Sequence, residues 1–247
     1  MSSESTITLI VGAGDFIGSA IARRFAAGGH TVCMGRRNGD KLAALVEELE
    51  ASGSKAHAFS LDARKEEQIV DLFAKIESEI GALDCVIFNA GANVNFPLDE
   101  TTTRVFYKVW EMACFGGFLT GREAAKYMSA RGRGSIFFTG ATASVRGGSG
   151  YAAFAAAKFG LRGMAQAMAR ELGPKNIHVA HLIIDAGVNT AWVREMIEKA
   201  SGTPASELPP DTLMNPSSIA DTYWMLHNQK RDAWTFELDV RPFGERW

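Results

Sequence analysis

The sequence predicts an α/β fold built on one doubly wound parallel sheet with helices on both faces. Three observations predict it. Short apolar, β-branched runs recur between amphipathic stretches, a glycine-rich turn follows the first run where a helix begins, and 247 residues at 47% hydrophobic content can fill one large core. The strand candidates are residues 6–11, 31–35, 56–61, 85–88, 135–139 and 177–183. Their alternation with helices calls for parallel pairing through right-handed crossovers.

The helices are read from a period of 3.6 residues. Ile17, Ile21 and Phe25 line one face before Gly28 and Gly29 end the first helix. Leu42, Leu45, Val46 and Leu49 mark the second, and Ile69, Leu72, Phe73 and Ile76 the third. Two longer helices are expected at about 103–130 and 151–172. Residues 192–216 carry four prolines among Trp192, Met196, Ile197, Leu208, Leu213 and Met214, which predicts a loop whose apolar side chains cover a ligand pocket or ride on the surface. Together these elements give a Rossmann-type arrangement, with residues 1–247 forming a single domain.

Composition narrows the partners. A net charge of −2 with no basic stripe argues against nucleic acid as the main partner. No apolar run approaches the length of a membrane span, and the first strand starts too soon to leave room for a signal peptide. Cys33, Cys85 and Cys114 sit scattered in apolar surroundings without ligand spacing, which reads as buried, reduced thiols of a cytoplasmic protein with no metal site.

The first turn runs Val11-Gly12-Ala13-Gly14-Asp15-Phe16-Ile17-Gly18, where a helix N-terminus can receive a pyrophosphate with backbone N–H groups and its positive dipole end. Arg36 and Arg37 follow the second strand, Asp62 and Ala63 the third, and Asn89-Ala90-Gly91 the fourth. Further on, Phe154-Ala155-Ala156-Ala157-Lys158 opens the long second helix, and Asp185-Ala186-Gly187-Val188-Asn189-Thr190 follows the sixth strand.

These marks resemble the short-chain dehydrogenase/reductase superfamily from residue 6 to about 218. Lys158 falls where that family keeps its active-site lysine, while Phe154 falls at its catalytic tyrosine, Ala141 at its serine and Ala113 at its asparagine. Of the four catalytic positions Lys158 alone is kept. The phosphate turn departs too, since the family's Thr-Gly-x-x-x-Gly-x-Gly would put glycine at Phe16. Val188 and Thr190 match the family's Pro-Gly-x-Val-x-Thr, but Asp185 and Ala186 do not.

The resemblance implies an NAD(P)-binding domain with a substrate lid around 190–216, a nicotinamide cofactor, and a homo-oligomer, dimer or tetramer. The cofactor would be held by Gly12, Asp15, Phe16, Ile17, Gly18, Arg36, Arg37, Asp62, Ala63, Asn89, Ala90, Gly91, Lys158, Val188 and Thr190. Guanidinium groups after the second strand suit a 2′-phosphate and favour NADP over NAD, with NAD left open. Tyr151 precedes Lys158 with the Tyr-x6-Lys spacing of the enoyl-acyl-carrier reductases, so Tyr151 and Lys158 are the candidate catalytic pair. Tyr151 packing at a helix start is the structural alternative.

Three functions stay open at this point. One is reduction of a small C=O or C=C by NADP(H) in a non-standard active site, with Tyr151 as proton donor. Another is an ordinary carbonyl reductase in which Ser144, Thr142 or water replaces the acid. The last is a catalytically silent NADP(H) sensor. The residues expected to face a substrate are Asn93, Val94, Ser144, Arg146, Tyr151, Trp192 and Met196.

Overall fold

Seven strands, all parallel, form one sheet in the order β3-β2-β1-β4-β5-β6-β7. They are β1 (Ile7–Val11), β2 (Thr31–Arg36), β3 (Ala56–Ser60), β4 (Leu83–Phe88), β5 (Gly134–Thr139), β6 (Ile177–Ile184) and β7 (Glu237–Val240). The computed structural model describes residues 6–91, 93–202 and 204–245. The chain starts at β1, winds outward to β3, and returns beside β1 with β4, so a crevice opens at the carboxyl ends of β1 and β4.

Strand alternation sorts the core into two layers. Leu9, Val11, Cys33, Val86, Phe88, Ile136 and Phe138 point to one face, against Ile69 and Phe73 of α3 (Glu66–Lys75), Leu119 and Met128 of α5 (Gly116–Arg131) and Leu161 of α6 (Ala152–Leu172). Their sequence neighbours Ile10, Val32, Met34, Cys85, Ile87 and Phe137 point to the other face. There they meet α1 (Ile17–Ala27), α2 (Ala43–Ala51) and α8 (Pro216–His227) through Ile21, Phe25, Leu45, Ile219 and Tyr223. Both faces are covered, as parallel strands without exposed alternation require.

Besides shifts of one or two residues at the ends of several strands, the expected and observed elements differ as follows. The helix expected at 103–130 is one helical run in three parts: α4 (Thr103–Trp110), a π turn over Glu111–Phe115, and α5 ending at Arg131, where Gly132 adopts φ 65°. The loop expected at 192–216 is instead α7 (Ala191–Ser201) followed by a short 3₁₀ turn and the start of α8. Thr190 caps α7 by accepting from Val193 N at 3.1 Å, and Asn215 caps α8 by accepting from Ser217 N at 3.2 Å. β6 runs one residue further than expected, to Ile184. β7 was not among the strand candidates. It is short and half-buried, and its pairing with β6 is reinforced by Glu237, which takes a bidentate pair from Arg162 of α6 at 2.6 and 2.7 Å.

Candidate active site

The crevice at the β1/β4 switch deepens into a cavity of about 1150 Å³ that brings together every residue expected to hold a cofactor. At its base Gly12 adopts φ +94°, and a Cβ there would lie 2.6 Å from Ala90 N, so β1 and β4 approach through a position only glycine fills. Asn89 braces the approach. Its Nδ2 donates to Gly12 O at 3.0 Å, and its Oδ1 accepts from the Thr139 hydroxyl at 3.0 Å.

Asp15, Phe16, Ile17 and Gly18 line the wall at the start of α1, where the first N–H groups of the helix have no intrahelical acceptor. Phe16 is the N-cap residue and stays 40% exposed, so its ring flanks the opening and does not fill the core. Arg36 is held by Asp15 at 2.6 Å, whereas Arg37 stands exposed. Lys41, on the short 3₁₀ turn that follows, lines the same end. Asn38 caps the turn between them by accepting from Asp40 N at 3.1 Å.

Asp62 is engaged. Arg64 grips both its oxygens at 2.8 and 2.6 Å, and that pairing holds the Asp62 carboxyl below the usual carboxylate range. Arg64 was missed in the sequence because a residue two positions away on a loop carries no periodic signal.

At the other end, Lys158 and Phe154 occupy adjacent turns of α6, with the ammonium 5.8 Å from the Phe154 ring centroid. Lys158 is 4% exposed, and Nζ donates to Thr139 O at 2.7 Å. No carboxylate pairs with it among the described residues, and burial brings its pKa down to about 8. A Cβ on Gly91 would meet Nζ at 3.5 Å, so the ammonium lies beside the β4 turn.

Tyr151 lines the cavity as the N-cap residue of α6, outside its first helical turn, and its hydroxyl has no hydrogen-bond partner among the described residues. Ala113, Ala141 and Phe154, where the family resemblance expects polar groups, pack into a single apolar cluster with Val109, Cys114, Ala143 and Ala153. Tyr151 and Val94 lie at the edge of that cluster.

Several substrate-facing expectations are corrected. Ser144 is fully buried and accepts from Ala141 N at 3.1 Å, so its hydroxyl belongs to the turn and does not face the cavity. Thr142 does line the cavity, but its hydroxyl is donated to Asp185 at 2.5 Å. Val94 packs against the apolar cluster and does not line the cavity. Trp192 and Met196 line a separate shallow groove on α7 with Glu195, Lys199 and Ala200. Amphipathic helix spacing explains their apolar character, where the sequence suggested a lid loop. Asn93 and Arg146 do line the cavity, as do Val188 and Thr190.

A family profile described as short chain dehydrogenase matches residues 6–201. The chain belongs to the short-chain dehydrogenase family. Among its relatives, a short-chain dehydrogenase/reductase of Armillaria gallica is 32% identical over 180 residues, 72% of this chain and 69% of that one. A 3-oxoacyl-acyl-carrier-protein reductase of Thermotoga maritima is 28% identical over 226 residues, 92% of each chain. A crystal structure of a short-chain dehydrogenase from Rhodopseudomonas palustris is 52% identical, with a TM-score of 0.82 over 96% of this chain and 99% of that one. An actinorhodin polyketide ketoreductase variant crystallised with NADPH is 25% identical, with a TM-score of 0.89 over 98% of each chain. The chain is thus of the oxidoreductase type its family defines. Among the described residues no helix is long and apolar enough to cross a membrane, and no group of three or more metal-ligating side chains stands together.

Proposed function

We propose that this short-chain dehydrogenase is an NADP(H)-dependent oxidoreductase of a small C=O or C=C substrate, working through a non-standard active site. The observation that carries this reading is the placement of Lys158 on the cavity wall beside the Gly91 turn, its charge uncompensated, with the unpartnered Tyr151 hydroxyl lining the same cavity.

The residues present fit a dinucleotide. Gly12 lets the β1 turn lie against the β4 turn at the cavity base, the α1 N-terminus offers N–H donors for phosphate, and Arg36, Arg37 and Lys41 collect positive charge at the far end. A bound nicotinamide would supply or accept the hydride. Lys158 would hold the ribose hydroxyls with the N–H groups not given to Thr139 O. Tyr151 would donate or orient a proton at the substrate oxygen, and the Ala113, Ala141 and Phe154 cluster would keep water from that side. Cofactor preference for NADP over NAD rests on the basic group after β2, where a 2′-phosphate would compete with Asp15 for Arg36.

The apolar cluster also supports a second reading, a dinucleotide sensor without turnover, because it removes three polar groups from the reacting end. Exposed Phe106, Tyr107, Phe118 and Phe159 on α4, α5 and α6 favour assembly into a homo-oligomer. Three buried free thiols suit a reducing compartment such as the cytoplasm.

Fluorescence titration with NADPH and NADH tests the cofactor. Arg36→Ala is expected to weaken NADPH about tenfold and leave NADH unchanged; equal loss for both removes the NADP preference. Tyr151→Phe is expected to cut turnover at least about tenfold at unchanged NADPH affinity, and unchanged turnover removes Tyr151 from the mechanism. Dinucleotide binding with no turnover on any enoyl or carbonyl substrate favours the sensor.

A further inference from the structure

Asp185 stands just after β6 with its side chain almost wholly buried, and three groups from two segments, the turn after β5 and the tail after β7, converge on it. The Thr142 hydroxyl donates to Oδ1 at 2.5 Å, Arg241 lies 3.1 Å from Oδ2, and Arg146 lies 3.7 Å from Oδ1. Oδ1 has a hydroxyl and Oδ2 a guanidinium at hydrogen-bond distance, so each oxygen holds a closer partner than Arg146.

Arg146 is left over. Its side chain is 61% exposed, it lines the cavity, and Asp185 is its one ionic neighbour among the described residues, beyond hydrogen-bond reach. Its backbone N–H donates to Thr142 O at 3.0 Å, which fixes the base of the side chain on the cavity wall. The carboxylates that line the cavity, Asp15 and Asp62, lie at the opposite end and are taken by Arg36 and Arg64. The reacting end therefore presents two cations, Lys158 and Arg146, with no carboxylate hydrogen-bonded to either.

We propose that the substrate carries a carboxylate group, received by the forked N–H donors of Arg146, while Asp185 steers that guanidinium against the wall without saturating it. A planar fork matches a carboxylate in two parallel hydrogen bonds. Thr142 cannot contribute a third donor, because its one hydroxyl hydrogen is committed to Asp185. The substrate class is then a small oxo acid, or the corresponding hydroxy or enoic acid. Arg146 is a specificity-determining residue whose effect falls on substrate binding.

This inference rests on the oxidoreductase reading, and the test separates the two. Protein loaded with NADP is titrated calorimetrically with 2-, 3- and 4-oxopentanoate and with their methyl esters, in the wild type, Arg146→Gln and Arg146→Lys. At least one acid is expected to bind about tenfold or more tightly than its ester. Arg146→Gln is expected to level the pair by weakening the acid alone, and Arg146→Lys to fall between. Equal affinities for acid and ester, a preference that survives in Arg146→Gln, or no binding across the series overturns the proposal. Failure of NADP itself to bind sinks the oxidoreductase reading instead.

Discussion

The two ends of the cavity are built by different means. At the end proposed to hold a dinucleotide the geometry is made by backbone: the Gly12 turn against Ala90, the start of α1, and the Asn89 amide bracing β1 to β5. At the reacting end it is made by side-chain tips, and there Ala113, Ala141 and Phe154 form an apolar cluster while Lys158 and Tyr151 keep their polar ends. Backbone features follow from the fold and tolerate drift in side chains, whereas a reacting group is one functional atom and vanishes with a single substitution. On the proposed function, the chain keeps its cofactor cradle while its chemistry is revised.

The largest expected effect breaks the first half of that contrast. Gly12→Val places a branched side chain at φ +94° with its Cβ against Ala90 N, and is expected to destabilise the protein on the order of 3 kcal/mol. Dinucleotide affinity should fall at least about 100-fold, read by urea unfolding and NADPH titration. Retention of normal affinity would mean that the turn is not the phosphate cradle.

A smaller effect sharpens the second half. Phe154→Tyr places a hydroxyl on a ring that lines the cavity next to the Lys158 ammonium, and is expected to raise ketone turnover at least about tenfold with little change in stability. No gain would show that proton supply does not limit this site, and would strengthen Tyr151 as donor.

The smallest effect concerns the frame that both ends share. Burial lowers the pKa values of His227 and His181 to about 4, and it lowers those of His30 and His178 as well. Each group is charged more readily in the unfolded chain, whose histidines titrate near 6.5. Stability is thus full above pH 6.5 and is lost as pH falls toward 4. The melting temperature is expected to drop about 5 °C or more between pH 7 and pH 5. His227→Phe should flatten that slope, and a pH-independent melting curve would contradict it.

Much of this was legible in the sequence where local pattern and structure share a period. The apolar runs of the buried strands, the helix faces of α1 to α3, and the glycine turn were all readable. The residues expected to hold a cofactor line one cavity because the fold gathers the carboxyl ends of its strands. What could not be read depends on contacts distant in sequence. Arg241 reaches Asp185 across 56 positions, and β7 gains its place from Glu237 bonding to Arg162, so neither leaves a periodic trace. The segment holding Trp192 and Met196 reads as a loop in the sequence because the prolines downstream mask an amphipathic helix with a Thr190 cap. Ser144 was misjudged because a hydroxyl beside a cavity in sequence turned inward to satisfy its own turn.

Asn89 accepts from Thr139 and donates to the Gly12 carbonyl, and Thr139 in turn takes the Lys158 ammonium on its own carbonyl. The Gly12 turn and the lysine are thus joined by one side chain and one residue of β5, with no loop between them to stretch. For the proposed dinucleotide the cavity would act as a ruler. A cofactor analogue with one extra atom in its bridge would find the two marks at a fixed spacing, and the molecule would reject it by length before any question of charge arose.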